Sequence, residues 1–553
     1  MTYEVDGTRY LEPQDLKVKL LDFLPRVPVG DDIVRGELGR DFLGPDEIVA
    51  LIQVAVARSV DYQSDLKDEL LRIHTLGKSI PETIFKKNLS GIGRGHSLDG
   101  LPVIALGING TKMIDSALTG VVYSRSLVTS GRRREAKPLE LVVPRSISAD
   151  SSLFAEYRQI SQDLFEFAEQ TKVRFTKKID AIQALNKLKP YNDPADLFYV
   201  LPLSSLVNLA VQVQEQRHND IQYLPEECAL FVDAIEEMID DMGMGQIYRM
   251  RKAVPRETYL HYSIFREQGR GDYAALKHEE YGNPIDPKVV GMLNDLPEAA
   301  KKELKEIKAL FASCREYKDA EHLYELTCRN KEVLSSFCRR YNEALRIKTI
   351  SSLSWRVWSE QKRHGTLAQH VESIYSAADR ALGQVREIWP VIKEGGDIDR
   401  IIPLAANAFV ISDELAKERE ILQGYLYHTA RQIMFYGKLI EKNIVKRDAL
   451  YCVPRNIRLR TLESYDLINA ASLELPLRLC TECEPERRIT SEMKAKSLKQ
   501  HLPDLAFLLE PKCSLGYCTE GKFCANIIRL NPGYNMDVHH EIARIISEKA
   551  MKS

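Results

Sequence analysis

Two segments far apart in the chain share Asp, Tyr and Pro in one register: Asp196-Leu-Phe-Tyr199-Val-Leu-Pro202 and Asp448-Ala-Leu-Tyr451-Cys-Val-Pro454. Each follows a long helical pattern and precedes a mixed polar and apolar stretch. If the match is an internal repeat, the fold must be built twice from one supersecondary plan. Three shared residues also arise by chance, so the repeat and the coincidence both stay open on this match alone. Length favours more than one core in either case, because 553 residues exceed what a single hydrophobic core usually organises. The glycines of Gly243-Met-Gly245 and the loop-like Gly269-Arg-Gly-Asp272 offer breakpoints, and the boundary is expected near residue 245. That gives an N-terminal unit of 1–245 and a C-terminal unit of 246–553.

Helix and strand patterns alternate along the chain, which predicts a mixed α/β (α+β) class. Ser152 to Lys172 places Leu153, Phe154, Tyr157, Ile160, Leu164, Phe165 and Ala168 at helical spacing. A second long helix is expected over Ser412 to Lys442, capped by Ser412 or Asp413. Short apolar runs at 101–108, 139–144, 197–202 and 450–455 read as strands.

A formal net charge of −2 excludes a globally basic nucleic-acid binder, leaving only a local basic site. The N-terminus has no basic region leading into an apolar core, and no run of eighteen apolar residues is present. A cytoplasmic protein without a membrane span is expected. None of the ten cysteines precedes Cys228, and five fall between Cys480 and Cys524. Without an export signal, such a cluster points to free thiols or metal more than to disulfides. Cys480-Thr-Glu-Cys483 has the spacing of a zinc-chelating pair, but Cys513, Cys518 and Cys524 are spaced differently, and buried or unpaired thiols are the favoured reading. Gly91-Ile-Gly93-Arg-Gly95 has the wrong spacing for a dinucleotide loop and is set aside.

The densest chemistry lies in Arg363-His364-Gly365, followed after seven residues by Ser373. An Arg fork suits phosphate or a uracil edge, an imidazole can lie against a ring cofactor, and a hydroxyl adds a hydrogen bond. This stretch resembles the Arg-His-Arg, seven residues, Ser signature of the flavin-dependent thymidylate synthases (the ThyX family), with Gly365 in the third position. Other segments resemble the family in the same order along the chain. Gly95-His96-Ser97-Leu98 is similar to an early His segment, and Ser130-Gly131-Arg132-Arg133 to a Ser-x-Arg-Tyr ending. Glu215-Gln216-Arg217 stands where the family often has Asn-Ala-Arg. Leu477-Arg478 with the run Cys483 to Arg488 is similar to the closing segment, and the cysteine-bearing tail around Cys513 and Cys518 is similar to some members' tails. Departures are Tyr375 two residues past Ser373, and Phe198 and Leu450 four residues before Pro202 and Pro454.

The resemblance implies a divergent tandem of two family-type units, each a sheet packed with long helices. It implies reductive methylation of dUMP to dTMP with FAD, NADPH and methylenetetrahydrofolate. Arg363, Ser373 and Arg478 would then hold the reacting nucleotide, Ser130, Arg132 and Arg217 would add substrate contacts, and His364 and His96 would face the flavin. No metal is implied, and a homo-oligomer, such as a dimer of tandem chains, would follow. The departures equally suit a catalytically inactive binding or assembly protein, or methylation of another pyrimidine nucleotide. Read without the resemblance, Arg363-His364 is a solvated helix feature, Ser130 to Arg134 a basic turn, His96 a loop residue and Arg478 a buried ion-pair partner.

Overall fold

The computed structural model describes residues 3–5, 8–24, 103–118, 125–128, 140–174, 183–192, 194–218, 223–241, 243, 245, 248–249, 252, 264–265, 286–362, 366–520 and 523–552. In the first part of the chain, β1 (Tyr3–Val5) and β2 (Thr8–Leu11) form a small sheet with β6 (Glu140–Val142). The main sheet there contains β3 (Lys17–Leu24), β4 (Val103–Thr111), β5 (Arg125–Val128) and β7 (Pro194–Pro202). The helices used here are α1 (Lys112–Leu118), α2 (Ser151–Arg174), α3 (Leu203–His218) and α4 (Glu226–Met238). Its strand order is β3-β4-β7-β5, and every neighbouring pair is antiparallel.

The second part repeats the plan. Its strands are β8 (Lys288–Asn294), β9 (Leu345–Ser354), β10 (Ala368–Val371) and β11 (Arg458–Asp466). The helices used here are α5 (Glu298–Ser313), α6 (Ala320–Tyr341), α7 (Trp355–Gln361), α8 (Ile374–Lys393), α9 (Arg419–Glu441), α10 (Leu467–Ala471), α11 (Glu474–Arg478), α12 (Pro485–His501), α13 (Ala525–Leu530) and α14 (Met536–Lys552). Its order is β8-β9-β11-β10, again antiparallel throughout. In both sheets the first strand lies at an edge, the second pairs with the fourth, and the fourth pairs with the third. Both first strands carry a register shift against the second, at Leu20/Asp22 and at Val289/Gly291. A seven-residue helix follows the second strand in each case, α1 and α7.

The chain clusters into two compact units that interleave in sequence. One contains residues 1–267, 373–401 and 413–455; the other contains 268–372, 402–412 and 456–553. The division expected from sequence, 1–245 and 246–553, is linear.

In the first compact unit, β4 alternates buried Ile104, Leu106 and Ile108 with half-buried neighbours, the pattern of a strand with one covered face. Helix α2 buries Leu153, Tyr157, Ile160, Leu164 and Ala168, a 3.6-residue stripe matching five of the seven expected positions, while Phe154 and Phe165 are half-buried and Phe154 meets Tyr10 edge-on. This unit also holds α8 and α9, and α9 packs on both α8 and α2. Close approach is required at Gly424, where an added Cβ would lie 2.2 Å from Phe167 Cε2. The second unit centres on Leu304, Ile307, Leu334, Phe337, Ile347, Tyr465 and Leu498 from α5, α6, β9, β11 and α12.

Three sequence expectations need correction. The run 450–455 is not a strand: α-helical Lys446–Ala449 continues into a 3-10 turn, Leu450–Cys452, whose three side chains are buried. A short apolar run cannot by itself distinguish a buried strand from a buried helical turn. Asp196 to Pro202 is the strand β7, so the Asp-x-x-Tyr-x-x-Pro match joins unlike elements; the strand that holds the place of β7 in the second sheet's order is β11. The long helix expected over 412–442 is broken, with Asp413–Ala416 separate from α9. The remaining three strand expectations fall on β4, β6 and β7.

Candidate functional site

Each main sheet ends its second strand on a hydroxyl residue gripped by a carboxylate. In the first, Glu227 accepts from the Thr111 amide at 2.9 Å and from Thr111 Oγ1 at 2.5 Å. In the second, Glu486 accepts from the Ser354 amide at 2.6 Å and from Ser354 Oγ at 2.8 Å. The hydroxyls also accept from the next helix, Thr111 from the Met113 amide and Ser354 from the Val357 amide. Local sequence explains both clasps. Pro225 precedes Glu226-Glu227 at the start of α4, and Pro485 precedes Glu486 at the start of α12. Proline presets the first turn, where acidic side chains are favoured by the unsatisfied amides.

The surroundings of the clasps differ. Glu227 also accepts from Tyr451 Oη at 2.8 Å, and burial pushes its carboxyl above the usual range although Thr111 and Tyr451 oppose this. The second sheet instead surrounds its core with charge. Glu463 on β11 is fully buried and accepts from Gln361, Lys494, Tyr465 Oη at 3.0 Å and Arg487 Nη2 at 3.0 Å. Burial alone would raise Glu463, but Arg487 and Lys494 carry it down to about 2. Burial likewise draws Lys494 down to about 8, against the pull of Glu463.

Arg478 Nε donates to Glu474 at 2.7 Å, and Arg487 lies 3.9 Å from the same carboxylate. Nε and Nη1 of Arg487 and Nη2 of Arg478 are buried without a hydrogen-bond partner among the described residues. Forked donors in a dry setting are suited to a carboxylate, a phosphate or a pyrimidine carbonyl.

Of the residues singled out from sequence, Arg363, His364, Ser130, Arg132 and His96 lie outside the described residues. Ser373 is buried at the start of α8 in the first compact unit, where its hydroxyl accepts from the Tyr375 amide at 3.3 Å. Tyr375 donates its own hydroxyl to the Tyr223 carbonyl. Arg217 at the end of α3 forms a two-pronged pair with Asp233, at 3.0 and 2.7 Å. Arg478 belongs to the second unit. Each of the three is thus engaged with a neighbour of its own. Sequence reasoning missed Glu463, Arg487 and Lys494. The signal was present in β11, where Arg458, Arg460 and Glu463 interrupt a strand whose first six residues are all buried.

The cysteines are all unbridged. Cys480, Cys513, Cys518 and Cys524 line one cavity enclosing about 400 Å³ of space, mouth included. Cys483 lies apart from that lining and hydrogen-bonds Arg478. Among the described residues no helix is long and apolar enough to cross a membrane.

No protein-family model and no curated protein matches the sequence. Among solved structures, the flavin-dependent thymidylate synthase ThyX from Helicobacter pylori, determined with FAD and dUMP, matches at 16% identity. The match covers 41% of this chain and 98% of that chain, with a TM-score of 0.26. This is a weak structural similarity.

Proposed function

We propose that the chain is a divergent tandem relative of the flavin-dependent thymidylate synthases, acting on a uracil nucleotide. The observation that carries the tandem reading is the repeated four-strand sheet with its hydroxyl–carboxylate clasp, Thr111 with Glu227 and Ser354 with Glu486. The ordered resemblance of the sequence segments supplies the chemistry, reductive methylation of dUMP to dTMP with methylenetetrahydrofolate and NADPH. Arg363, Ser373 and Arg478 are assigned to the nucleotide, Ser130, Arg132 and Arg217 to further substrate contacts, and His364 and His96 to the flavin. The buried donors of Arg478 and Arg487 that lack a hydrogen-bond partner among the described residues fit an anionic or carbonyl-bearing ligand. Bound FAD would supply hydride transfer; the chain's part is to bind, orient and polarise. An assembly of tandem chains as a dimer belongs to the same proposal.

A second reading is a non-catalytic descendant that keeps the fold for binding or assembly. Specific contacts favour it: Ser373 spends its hydroxyl on a helix cap, Tyr375 is tied to Tyr223, and Arg217 is matched by Asp233. Purified protein decides between them. Yellow protein that releases FAD, and that oxidises NADPH only when dUMP and methylenetetrahydrofolate are both present, supports the enzyme. Colourless protein that FAD cannot reconstitute overturns it. Flavin binding without dUMP-dependent turnover, followed by turnover with another pyrimidine nucleotide, moves the assignment to that substrate.

A further inference from the structure

Four of the five clustered cysteines converge although they come from three separate places in the sequence. Cys480 follows α11, Cys513 and Cys518 flank a tight loop after α12, and Cys524 precedes α13. All four line the same cavity. The cavity is independent of the charged network around Glu463, and the proposed nucleotide chemistry uses none of its residues. We propose that Cys480, Cys513, Cys518 and Cys524 ligate a cuboidal [4Fe–4S] cluster.

The loop that presents two of these thiols is held in place from both sides. Gly516 has φ of 148°, and an added Cβ would lie 2.1 Å from Thr327 Oγ1 on α6, so glycine is required there. Asn330 Nδ2 donates to the Leu515 carbonyl at 2.8 Å, and Asn531 Nδ2 donates to the Gly516 carbonyl at 3.4 Å. Behind the loop, Cys513 and Cys518 pack with Leu323, Tyr517, Ile527 and Tyr534. Such an arrangement fixes the thiols before any ligand arrives and keeps one side of the cavity dry, as metal centres require of their outer shell.

Geometry selects the kind of ligand. A single zinc ion at a Zn–S distance of about 2.3 Å needs its sulfurs within about 4 Å of one another. Among the described residues, no group of three His, Cys, Asp or Glu side chains is drawn together tightly enough for one ion. A cuboidal cluster takes one thiolate at each corner iron and spreads the four sulfurs across its own width. Four thiols contributed by separate segments around one open-mouthed cavity suit the corners of a cluster better than the single centre of an ion. Each thiol would ligate as thiolate and release its proton to solvent. The wall contributes both Lys512 and Glu520, so the ammonium is available to offset cluster charge. The Cys480-x-x-Cys483 spacing is misleading, since Cys483 is turned to Arg478 instead.

The test is analysis of the full chain purified without oxygen from cells co-expressing a cluster-assembly system. Iron and acid-labile sulfide should each approach four per chain, with a broad visible absorption and a Mössbauer signature of the cuboidal cluster. Cys513→Ser and Cys518→Ser should each lose most of the iron and sulfide. Cys483→Ser and Cys328→Ser should keep both. Circular dichroism tells cluster loss from unfolding, and the wild-type iron and sulfide content decides the matter if the serine variants do not fold. One zinc per chain without sulfide, or folded wild-type protein free of iron, overturns the proposal. So does loss of the cluster in Cys483→Ser equal to that in Cys513→Ser.

Discussion

The first and second sheets share strand order, an irregular first strand and a carboxylate clasp, yet they stabilise the region around the clasp by different means. Around Glu227 the partners are hydroxyls and an amide, from Thr111 and Tyr451. In the second sheet the neighbouring β11 carries a buried carboxylate between Arg487 and Lys494. A neutral hydrogen bond contributes modestly and its loss leaves one polar group unsatisfied. A buried ion network contributes little net stability when complete but is costly to leave half-made. The same backbone plan is therefore tolerant of change on one side and brittle on the other.

The sharpest way to break this comparison is to remove the two carboxylates separately. Glu463→Ala removes the carboxylate paired with Lys494 and the nearer of the two beside Arg487, and should destabilise by about 3–5 kcal/mol. Glu227→Ala leaves only uncharged donors and should cost about 1–3 kcal/mol. Chemical denaturation of both variants measures this, with hydrogen exchange at β4 and β9 reporting which unit loosens. Equal losses would show that the charged and neutral settings do not differ in kind.

Acid titration separates the same two groups by sign. Glu463 has a folded pKa below its unfolded value, so its stabilisation is present above about pH 4.5 and is lost as pH falls toward about 2. Glu227 is shifted the other way, so burying it is least costly at low pH, and the penalty grows as pH rises from its unfolded value through its folded one. Protection of β9 should therefore fall on acidification where that of β4 gains from Glu227. Glu463→Gln and Glu227→Gln should each flatten the dependence of its own unit, and an unchanged slope in either variant would assign the pH response elsewhere.

Much of this fold was legible in the sequence, and what was not has a physical reason. The apolar stripe of α2 and the alternation of β4 follow from side-chain periodicity, which requires only local information. The repeat was sought in matching letters, and the letters misled: Tyr451 is buried in a helical turn donating to Glu227, whereas Tyr199 is a strand residue donating to Asp115. What repeats is strand order and a Glu–hydroxyl clasp across 116 residues in one case and 132 in the other. No local window contains both partners. Arg478 was singled out by resemblance, yet its neighbours Glu474 and Arg487 become a cluster only when α11 and α12 fold beside β11.

Helix packing offers a smaller perturbation confined to the first unit. Gly424→Ala on α9 would place a Cβ 2.2 Å from Phe167 on α2. Overpacking of this kind costs about 1–3 kcal/mol, partly offset by a gain of about 1 kcal/mol in helix propensity. A net loss of about 1 kcal/mol is expected in denaturation, with exchange at β9 unchanged. Loss of protection in β9 would mean that the second unit does not hold its stability independently of the first.

The smallest stability change is the one that most directly tests function. Arg217 and Asp233 form a half-exposed pair, in which attraction is screened by water and the long Arg217 side chain loses freedom. Arg217→Ala should therefore alter stability by no more than about 1 kcal/mol, because the pair contributes little to the fold. That near-neutrality makes the variant informative for binding: a change in dUMP affinity cannot be ascribed to unfolding. If Arg217 contacts the nucleotide, Arg217→Ala should weaken dUMP binding in calorimetry at least tenfold, about 1.4 kcal/mol, while Asp233→Ala, which frees the guanidinium, should preserve or strengthen it. Binding untouched by both changes would leave Arg217 a surface ion-pair partner and remove it from the proposed substrate contacts. Weakening by both would make the pair itself the recognised feature, with Asp233 holding the fork in the orientation the nucleotide needs.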